Sequence, residues 1–203
     1  MNQYDTRPVH SAQPQWLKTY WLKTHWLKTY YFARATVALA WIGAVLAFVR
    51  GTPGMAAAVL LIAYPAWDAL ANLVDARRSG GLARNQPQAV NALVSVVTAL
   101  AVAVALPDMH RVLGVFGAWA ILAGLLQLGA GVRRWKREGA QWAMVLSGAQ
   151  SALAGGFFIH QAGQPAMPAV AGLVGYAGFG AFYFLVSALW MTVADARRAR
   201  AAT

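Results

Sequence analysis

The chain contains no cysteine, and only six of its 203 residues are acidic. The absence of cysteine excludes disulfides, thiolate metal sites and a cysteine nucleophile. Sequence signatures of catalysis and nucleotide binding are also missing: there is no GxxxxGK(S/T) phosphate loop, no HExxH zinc helix and no GxSxG nucleophile elbow. We therefore expect no enzyme activity, no cofactor and no bound metal.

Charge is scarce in this chain, whereas apolar residues are abundant. Charged residues make up 11% of the sequence, against about a quarter in soluble proteins, and 59% of the residues are hydrophobic. Six long apolar stretches reach or approach the roughly 20 residues that cross a bilayer as a helix. The sequence therefore predicts an all-α integral membrane protein with six transmembrane helices. The stretches are 31–49, 55–74, 88–106, 112–132, 141–159 and 169–193.

The net charge of +11 is distributed unevenly between the segments that connect the stretches. Fifteen Lys and Arg residues lie at the N-terminal side, in the second and fourth connections and in the C-terminal tail, whereas only Arg50 and Arg111 lie in the other connections. Because cytoplasmic segments retain Lys and Arg, this bias predicts that both termini are cytoplasmic, and the Ala- and Arg-rich composition suggests a bacterial inner membrane. We expect the basic residues to contact anionic lipids of the bilayer, and we expect no nucleic-acid partner. The fifteen are Arg7, Lys18, Lys23, Lys28, Arg34, Arg77, Arg78, Arg84, Arg133, Arg134, Lys136, Arg137, Arg197, Arg198 and Arg200.

Similar phrases close the even-numbered stretches. VDARR at 74–78 returns as ADARR at 194–198, and the fourth stretch ends in GVRRW. The three connections on the other side, GTPG, PDMHR and QAGQPAMP, contain the Pro or Gly that is typical of short turns. We predict three consecutive antiparallel helical hairpins.

The N-terminal segment repeats one five-residue phrase, as WLKTYWLKTHWLKTY at 16–30. A period of five turns successive copies by about 140° around a helix, so the three tryptophans point in different directions and form no amphipathic face. Trp, Tyr and Lys partition to the lipid headgroup layer, and we therefore predict that 16–30 is an interfacial segment. The other predicted units are a disordered tail at 1–15, a transmembrane domain at 31–196 and a basic tail at 197–203.

Asp68 is the main candidate for a functional residue, because a carboxylate inside an apolar stretch is costly unless it is paired. Counting helical rise from the first turn places Arg34 at a similar depth, and we predict an ion pair between Arg34 and Asp68. The same count around the second turn predicts a hydrogen bond between Asn91 and Gln127. One interpretation is that these pairs fix the register of the hairpins. The alternative is that a protonatable Asp68 lies in a proton or solute path.

The remaining ionisable residues of interest lie near the ends of the stretches. We interpret Asp75 as the partner of Arg78 in an ordinary i, i+3 pair, and Asp195 as a residue explained by its local arginines. His110 and His160 lie on the side opposite to the basic residues. Because histidine changes charge near pH 6.5, these two side chains are candidates for sensing acidification.

Small residues recur every four positions in the fifth stretch and form two adjacent strips. Such strips allow the backbone of a neighbouring helix to approach closely, and we predict a helix-packing face here. The alternatives are a contact in a homo-oligomer and a gap that lines a pathway. The strips consist of Ser147, Ser151 and Gly155, and of Gly148, Ala152 and Gly156.

Phrases rich in Ala, Gly and Leu, such as AILAGLLQLGAGVRR at 120–134 and WAMVLSGAQSALAGGFFI at 142–159, complete the pattern. Together with the six short spans, they make the segment from about residue 30 to 198 resemble the HdeD-type family of small bacterial inner-membrane proteins. The resemblance implies a non-enzymatic role in acid or envelope stress tolerance, and it carries over no catalytic residue. The alternatives are a small transporter or channel subunit that moves protons or weak acids past Asp68, and a membrane scaffold.

Overall fold

The computed structural model describes residues 15–49, 54–136 and 141–201. These residues form six long helices, and a short 3-10 turn, Leu82–Arg84, precedes the third. All six helices are long and apolar enough to cross a membrane. The predicted all-α class with six spans is therefore confirmed, and the chain is a multi-pass membrane protein. The helices are α1 (Gln15–Phe48), α2 (Met55–Arg78), α3 (Gln86–Ala105), α4 (Met109–Arg134), α5 (Gln141–Ala162) and α6 (Gly172–Ala201).

The repeated N-terminal phrase and the first span form one continuous helix of 34 residues. This continuity follows from composition, because the WLKTY copies contain neither Pro nor Gly and include the good helix formers Leu and Lys. Residue 30, the predicted boundary between the interfacial segment and the transmembrane domain, is thus an interior position of α1. The predicted disordered tail at 1–15 lies outside the described residues except for Gln15, as do residues 50–53 in the first connection and the side chains of residues 15–24.

One end of the bundle collects the N-terminus of α1 and the C-termini of α2, α4 and α6. Lys28 of α1 forms an ion pair with Asp195 of α6 at 3.0 Å, and Arg134 of α4 lies 3.7 Å from Asp75 of α2. At the opposite end, the N-terminus of α4 meets the C-terminus of α5. Neighbouring helices therefore run antiparallel, and we call the end with the clustered arginines the basic end.

The six helices form a closed ring, in which each helix packs on the next and α6 packs on α1. The most extensive contacts join α4 to α5, followed by α2 to α3 and α1 to α6, whereas α1 with α2 and α5 with α6 touch much less. The helices of each predicted hairpin therefore touch, but the contacts within the hairpins are not the most extensive ones. Chain order made the hairpins plausible, but surface shape decides which helices approach closely.

Glycines explain why α4 and α5 pack so closely. A Cβ atom added at Gly124 would lie 2.6 Å from the carbonyl oxygen of Gly148, and one added at Gly155 would lie 2.5 Å from the carbonyl oxygen of Gly117. No side chain fits at such distances, so the two backbones touch directly. Gly148 and Gly155 thus belong to a packing face, as the small-residue strips predicted.

The other members of the predicted strips take different positions. A Cβ atom added at Gly124 would also lie 2.8 Å from the backbone nitrogen of Ala152 and 2.9 Å from Cβ of Ser151, so both residues border α4. Ser147 is buried. Gly156 is exposed and faces open space. Gly156 therefore lies outside the packing face, because a spacing of four drifts around a helix whereas the contact follows a spacing of seven.

Candidate functional site

The structure brings Arg34 and Asp68 together inside the bundle. Nη2 of Arg34, on α1, donates to Oδ1 of Asp68, on α2. Their side chains are 14% and 7% exposed, so the pair is shielded on nearly all sides. Counting helical rise predicted this contact, because both helices leave the same turn with the same rise per residue. A role of Asp68 in a proton or solute path stays a prediction.

The second oxygen of Asp68 accepts three more hydrogen bonds. Asn72 Nδ2 donates to Oδ2 at 3.0 Å, Ser95 Oγ donates at 2.7 Å and Asn91 Nδ2 donates at 3.3 Å. With Arg34 this makes four donors, which matches the roughly four lone-pair sites of an ionised carboxylate. Asp68 therefore links α1, α2 and α3 through one charged group.

The predicted hydrogen bond between Asn91 and Gln127 is wrong. The side-chain nitrogen of Asn91 is directed to Asp68, and Gln127 Nε2 donates to the main-chain carbonyl of Met144 at 3.4 Å. The reason is electrostatic, since a carboxylate is a stronger acceptor than a neutral amide. It is α4's Trp119 that reaches the network instead, because its Nε1 donates to Ser95 Oγ at 2.9 Å.

Aromatic side chains surround the guanidinium of Arg34. Nη1 donates to the hydroxyl of Tyr30 at 3.3 Å, and the guanidinium carbon lies 4.7 Å from the ring centroid of Phe184. A cation over a desolvated ring gains about 2 kcal/mol or more. The aromatic contacts thus help to keep the charge of Arg34 inside the bundle.

The ion pair forms part of the wall of a cavity of about 430 Å³, which we call the central cavity. All six helices contribute to its lining. Its polar part consists of the Arg34–Asp68 pair with side chains such as Gln127, Gln150 and Ser151. Most of the remaining wall is aromatic. The aromatic lining includes Tyr64, Trp67, Trp119, Phe158, Tyr176 and Phe184.

The central cavity opens sideways, between α5 and α6. Of the residues that line it, those that are also exposed on the outside of the bundle all belong to these two helices. A Cβ atom added at Gly172 or Gly175 would have no neighbour within 4 Å, so these glycines leave space rather than contact a helix. The mouth therefore lies within the apolar spans. The exposed lining residues are Leu153, Phe157, Gly172, Gly175 and Phe179.

A smaller space of about 60 Å³ continues from the ion pair towards the basic end, and we call it the basic-end chamber. Arg34, Asn91, Gln127 and Phe184 line both spaces and form the partition between them. The buried carboxylate of Asp75, 2% exposed, lines the chamber on the far side of the partition. The two spaces thus lie in series along the bundle.

Asp75 was misinterpreted from the sequence. Instead of pairing with Arg78, it accepts from Trp26 Nε1 at 3.1 Å and from Ser79 Oγ at 3.2 Å, and it faces Arg134 of α4. Arg78 stacks on the ring of Trp26, with its guanidinium carbon 4.5 Å from the centroid. The spacing of Asp68, Asn72 and Asp75 was the missed signal, because residues at i, i+4 and i+7 share one face of a helix.

The third copy of the repeat makes specific contacts. Trp26 holds Asp75, and Lys28 holds Asp195, a residue that the sequence assigned to local arginines. Leu27 and Tyr31 are buried against α5 and α6 side chains, including Met144 and Phe184. At least this copy therefore docks onto the bundle, which goes beyond the interfacial role predicted from composition.

The two histidines lie at the opposite end, away from the ion pair. His110 Nδ1 lies 3.2 Å from the main-chain oxygen of Ala162, and exposed His160 has Nε2 3.4 Å from Nε2 of Gln164. Each thus has its own local partner, and their sensing role stays a prediction. In the described part of the chain, no group of three or more His, Asp or Glu residues is placed to hold a metal ion.

Comparisons with known proteins leave the family open. No protein-family model, no curated protein and no solved structure matches the chain at a significant level. The resemblance to HdeD-type proteins therefore stays a prediction that rests on the quoted phrases. The features of this chain that bear on function are the ion pair, the central cavity and the basic-end chamber.

Proposed function

We propose that the protein is a small membrane transporter or channel subunit for weak acids, and that the central cavity is its solute site. The observation that carries this proposal is the position of the Arg34–Asp68 pair beside about 430 Å³ of space. A pair that only fixes helix register needs no space at its side. Cavities of about 300–1,000 Å³ with a few convergent polar groups are typical of small-molecule sites, and ionisable residues inside a span commonly mark solute pathways.

The hydrogen bonds at the pair favour an anionic solute. The four donors around Asp68 occupy the acceptor sites of its carboxylate. Arg34, by contrast, makes hydrogen bonds within the described part of the chain through Nη1 and Nη2 alone, to Tyr30 and Asp68. A guanidinium has further N–H groups in a planar arrangement that suits a carboxylate. The pair therefore presents surplus donors, and a weak acid bound as its anion supplies the acceptors.

The basic-end chamber supports a route beyond the site. Gln88 Oε1 and Asn91 Oδ1 are buried there without a hydrogen-bond partner among the described residues. An unpaired buried acceptor costs about 1–3 kcal/mol, so these two oxygens favour water or the protonated form of a weak acid beside them. The partition through Arg34 and Gln127 then acts as the gate between the two spaces.

The other predicted roles receive less support. A scaffold needs free packing faces, but Gly148 and Gly155 are already covered by α4. Acid or envelope stress tolerance rests on the resemblance alone, and movement of weak acids is compatible with it. We also propose the bacterial inner membrane as the location, with both termini cytoplasmic and the basic end facing anionic lipids, because arginines cluster at that end.

Uptake into proteoliposomes tests the proposal. We expect radiolabelled lactate, whose anion crosses lipid slowly, to enter vesicles with the native protein faster than empty vesicles, and Asp68→Asn to abolish the difference. Asp195→Asn is the matched control, because it makes the same chemical change in an ion pair at the basic end. Native protein that gives no uptake above empty vesicles, or Asp68→Asn with native uptake, would refute the proposal.

A further inference from the structure

The sideways mouth of the central cavity points to how the solute arrives and what kind of acid it is. We propose that the ligand is a long-chain monocarboxylate, such as a fatty acid, which enters from the hydrocarbon layer between α5 and α6 and directs its carboxylate to Arg34. This inference rests on the proposed function only in taking the central cavity as the solute site.

The rim of the mouth is apolar. Leu153 is 77% exposed, and Phe157 and Phe179 are each 57% exposed, yet all three also line the cavity. These three residues lie within apolar spans, so the outer surface around them faces lipid. A carboxylate crosses such a rim at high cost as a hydrated ion and at far lower cost as the neutral, protonated acid, whereas a hydrocarbon chain crosses it without penalty. The rim therefore selects for an apolar tail.

The position of the mouth sets the length of a ligand that occupies the mouth and reaches the ion pair at the same time. Leu153 and Phe157 precede the end of α5 at Ala162 by nine and five residues, which places them about 8–14 Å below the opposite end. Asp68 follows the start of α2 at Met55 by thirteen residues, which places the ion pair about 20 Å below that end. A ligand that lies in the mouth and also reaches the ion pair has to span this difference in depth. Such a ligand is longer than acetate or lactate.

Contacts inside the cavity fit the two ends of such a ligand. Behind the mouth, Ser151 Oγ lies 2.9 Å from the hydroxyl of Tyr176 and joins α5 to α6. Aromatic rings, Phe158 and Tyr176 among them, line the wall that leads towards the pair, and they suit a hydrocarbon chain. At the far end, the surplus N–H groups of Arg34 suit a carboxylate.

Two exposed glycines allow a matched test. Gly175 and Gly156 both face open space, so a leucine at either position meets no neighbour within 4 Å of its Cβ. Gly175 lines the mouth of the cavity, whereas Gly156 does not line it. We expect Gly175→Leu to weaken equilibrium binding of oleate to the protein in nanodiscs by at least tenfold. Gly156→Leu should bind within twofold of the native protein.

Headgroup selectivity provides the second arm. Native protein should bind oleate at least tenfold more tightly than oleyl alcohol, and Arg34→Gln should remove this preference. Gly172→Leu, at another open position of the mouth, repeats the plugging test should Gly175→Leu elute as an aggregate. Equal oleate binding by native protein, Gly175→Leu and Gly172→Leu would show annular lipid only and overturn the proposal, as would equal affinity for the alcohol.

The arms also separate this inference from the proposed function. Lactate uptake that depends on Asp68, together with no saturable oleate binding, would overturn lateral access and leave a transporter that takes small acids from water. Oleate binding that responds to both glycine positions as expected, without transport of any acid, would support the lateral site and overturn the transport function.

Discussion

The Arg34–Asp68 pair allows a quantitative test, because its two partners have unequal support. Without Arg34, the carboxylate of Asp68 keeps three neutral donors, from Asn72, Asn91 and Ser95. Without a carboxylate at 68, the guanidinium keeps the hydroxyl of Tyr30 and its aromatic neighbours. An asparagine at 68 has a single acceptor oxygen, so it cannot serve Arg34 and the other three donors together.

We expect Asp68→Asn and Arg34→Gln each to lower the free energy of unfolding by about 3–5 kcal/mol, the usual cost of leaving one buried charge unpaired. Asp68→Asn should be the more damaging of the two, since the remaining cation has fewer partners. The double variant has no net charge at the pair, and it should lose no more than about 5 kcal/mol, well below the sum of the single losses.

Reversible unfolding in mixed micelles, followed by tryptophan fluorescence, measures the four free energies of this cycle. Trp119, whose Nε1 donates to Ser95 beside the pair, is one of the nine tryptophans that contribute to this signal. Asp195→Asn is the control, with an expected loss of about 0–1 kcal/mol, because the pair with Lys28 is more exposed. Additive losses in the double variant, or a loss of less than 1 kcal/mol for Asp68→Asn, would refute the assignment of a buried, coupled ion pair.

Three further predictions follow from the fold. Gly124→Ala should lower the thermal midpoint of unfolding by several degrees, because an added Cβ lies 2.6 Å from the carbonyl oxygen of Gly148. Gly129→Ala should leave the midpoint unchanged, because its Cβ has no neighbour within 4 Å. Equal midpoints for the two variants would contradict the backbone contact. Trp26→Phe removes the hydrogen bond to Asp75 and should cost about 0.5–1.5 kcal/mol in the same unfolding assay, whereas an unchanged value would mean that the third repeat copy does not dock. Reporter fusions should place both chain ends on the cytoplasmic face, and ends on opposite faces would refute the topology.

The sequence was sufficient for the spans and for one long-range contact. Hydropathy is a local property, and helical rise is nearly constant, so depth can be counted along each helix. Depth does not give the direction in which a side chain points around the helix axis. For Asn91 the predicted level was therefore useful, but the predicted hydrogen-bond partner was wrong. Counting helical rise does not predict that α6 packs on α1, because this contact depends on the surfaces of helices far apart in the chain.

The packing of α5 shows which further signals were present in the sequence. Gly117, Gly124 and Gly131 recur every seven residues in α4, and Gly148 and Gly155 do so in α5. The prediction that used only the fifth stretch and a spacing of four included Gly156 in the packing face, although Gly156 faces open space. A comparison of both helices at a spacing of seven identifies the contact, because a narrow seam along a helix has that period.

The same distribution of glycines accounts for where the central cavity lies. On α5, Gly148 and Gly155 bring the backbone against α4, whereas α5 and α6 touch much less. The glycines of α6 at 172 and 175 face the gap between α5 and α6, where they enlarge the space instead of filling it. Glycines therefore have opposite effects on the two sides of α5. Those between α4 and α5 allow close contact, whereas those of α6 leave the cavity open. It follows that side-chain size at 172 and 175 sets the width of the mouth without disturbing the α4–α5 contact that positions it.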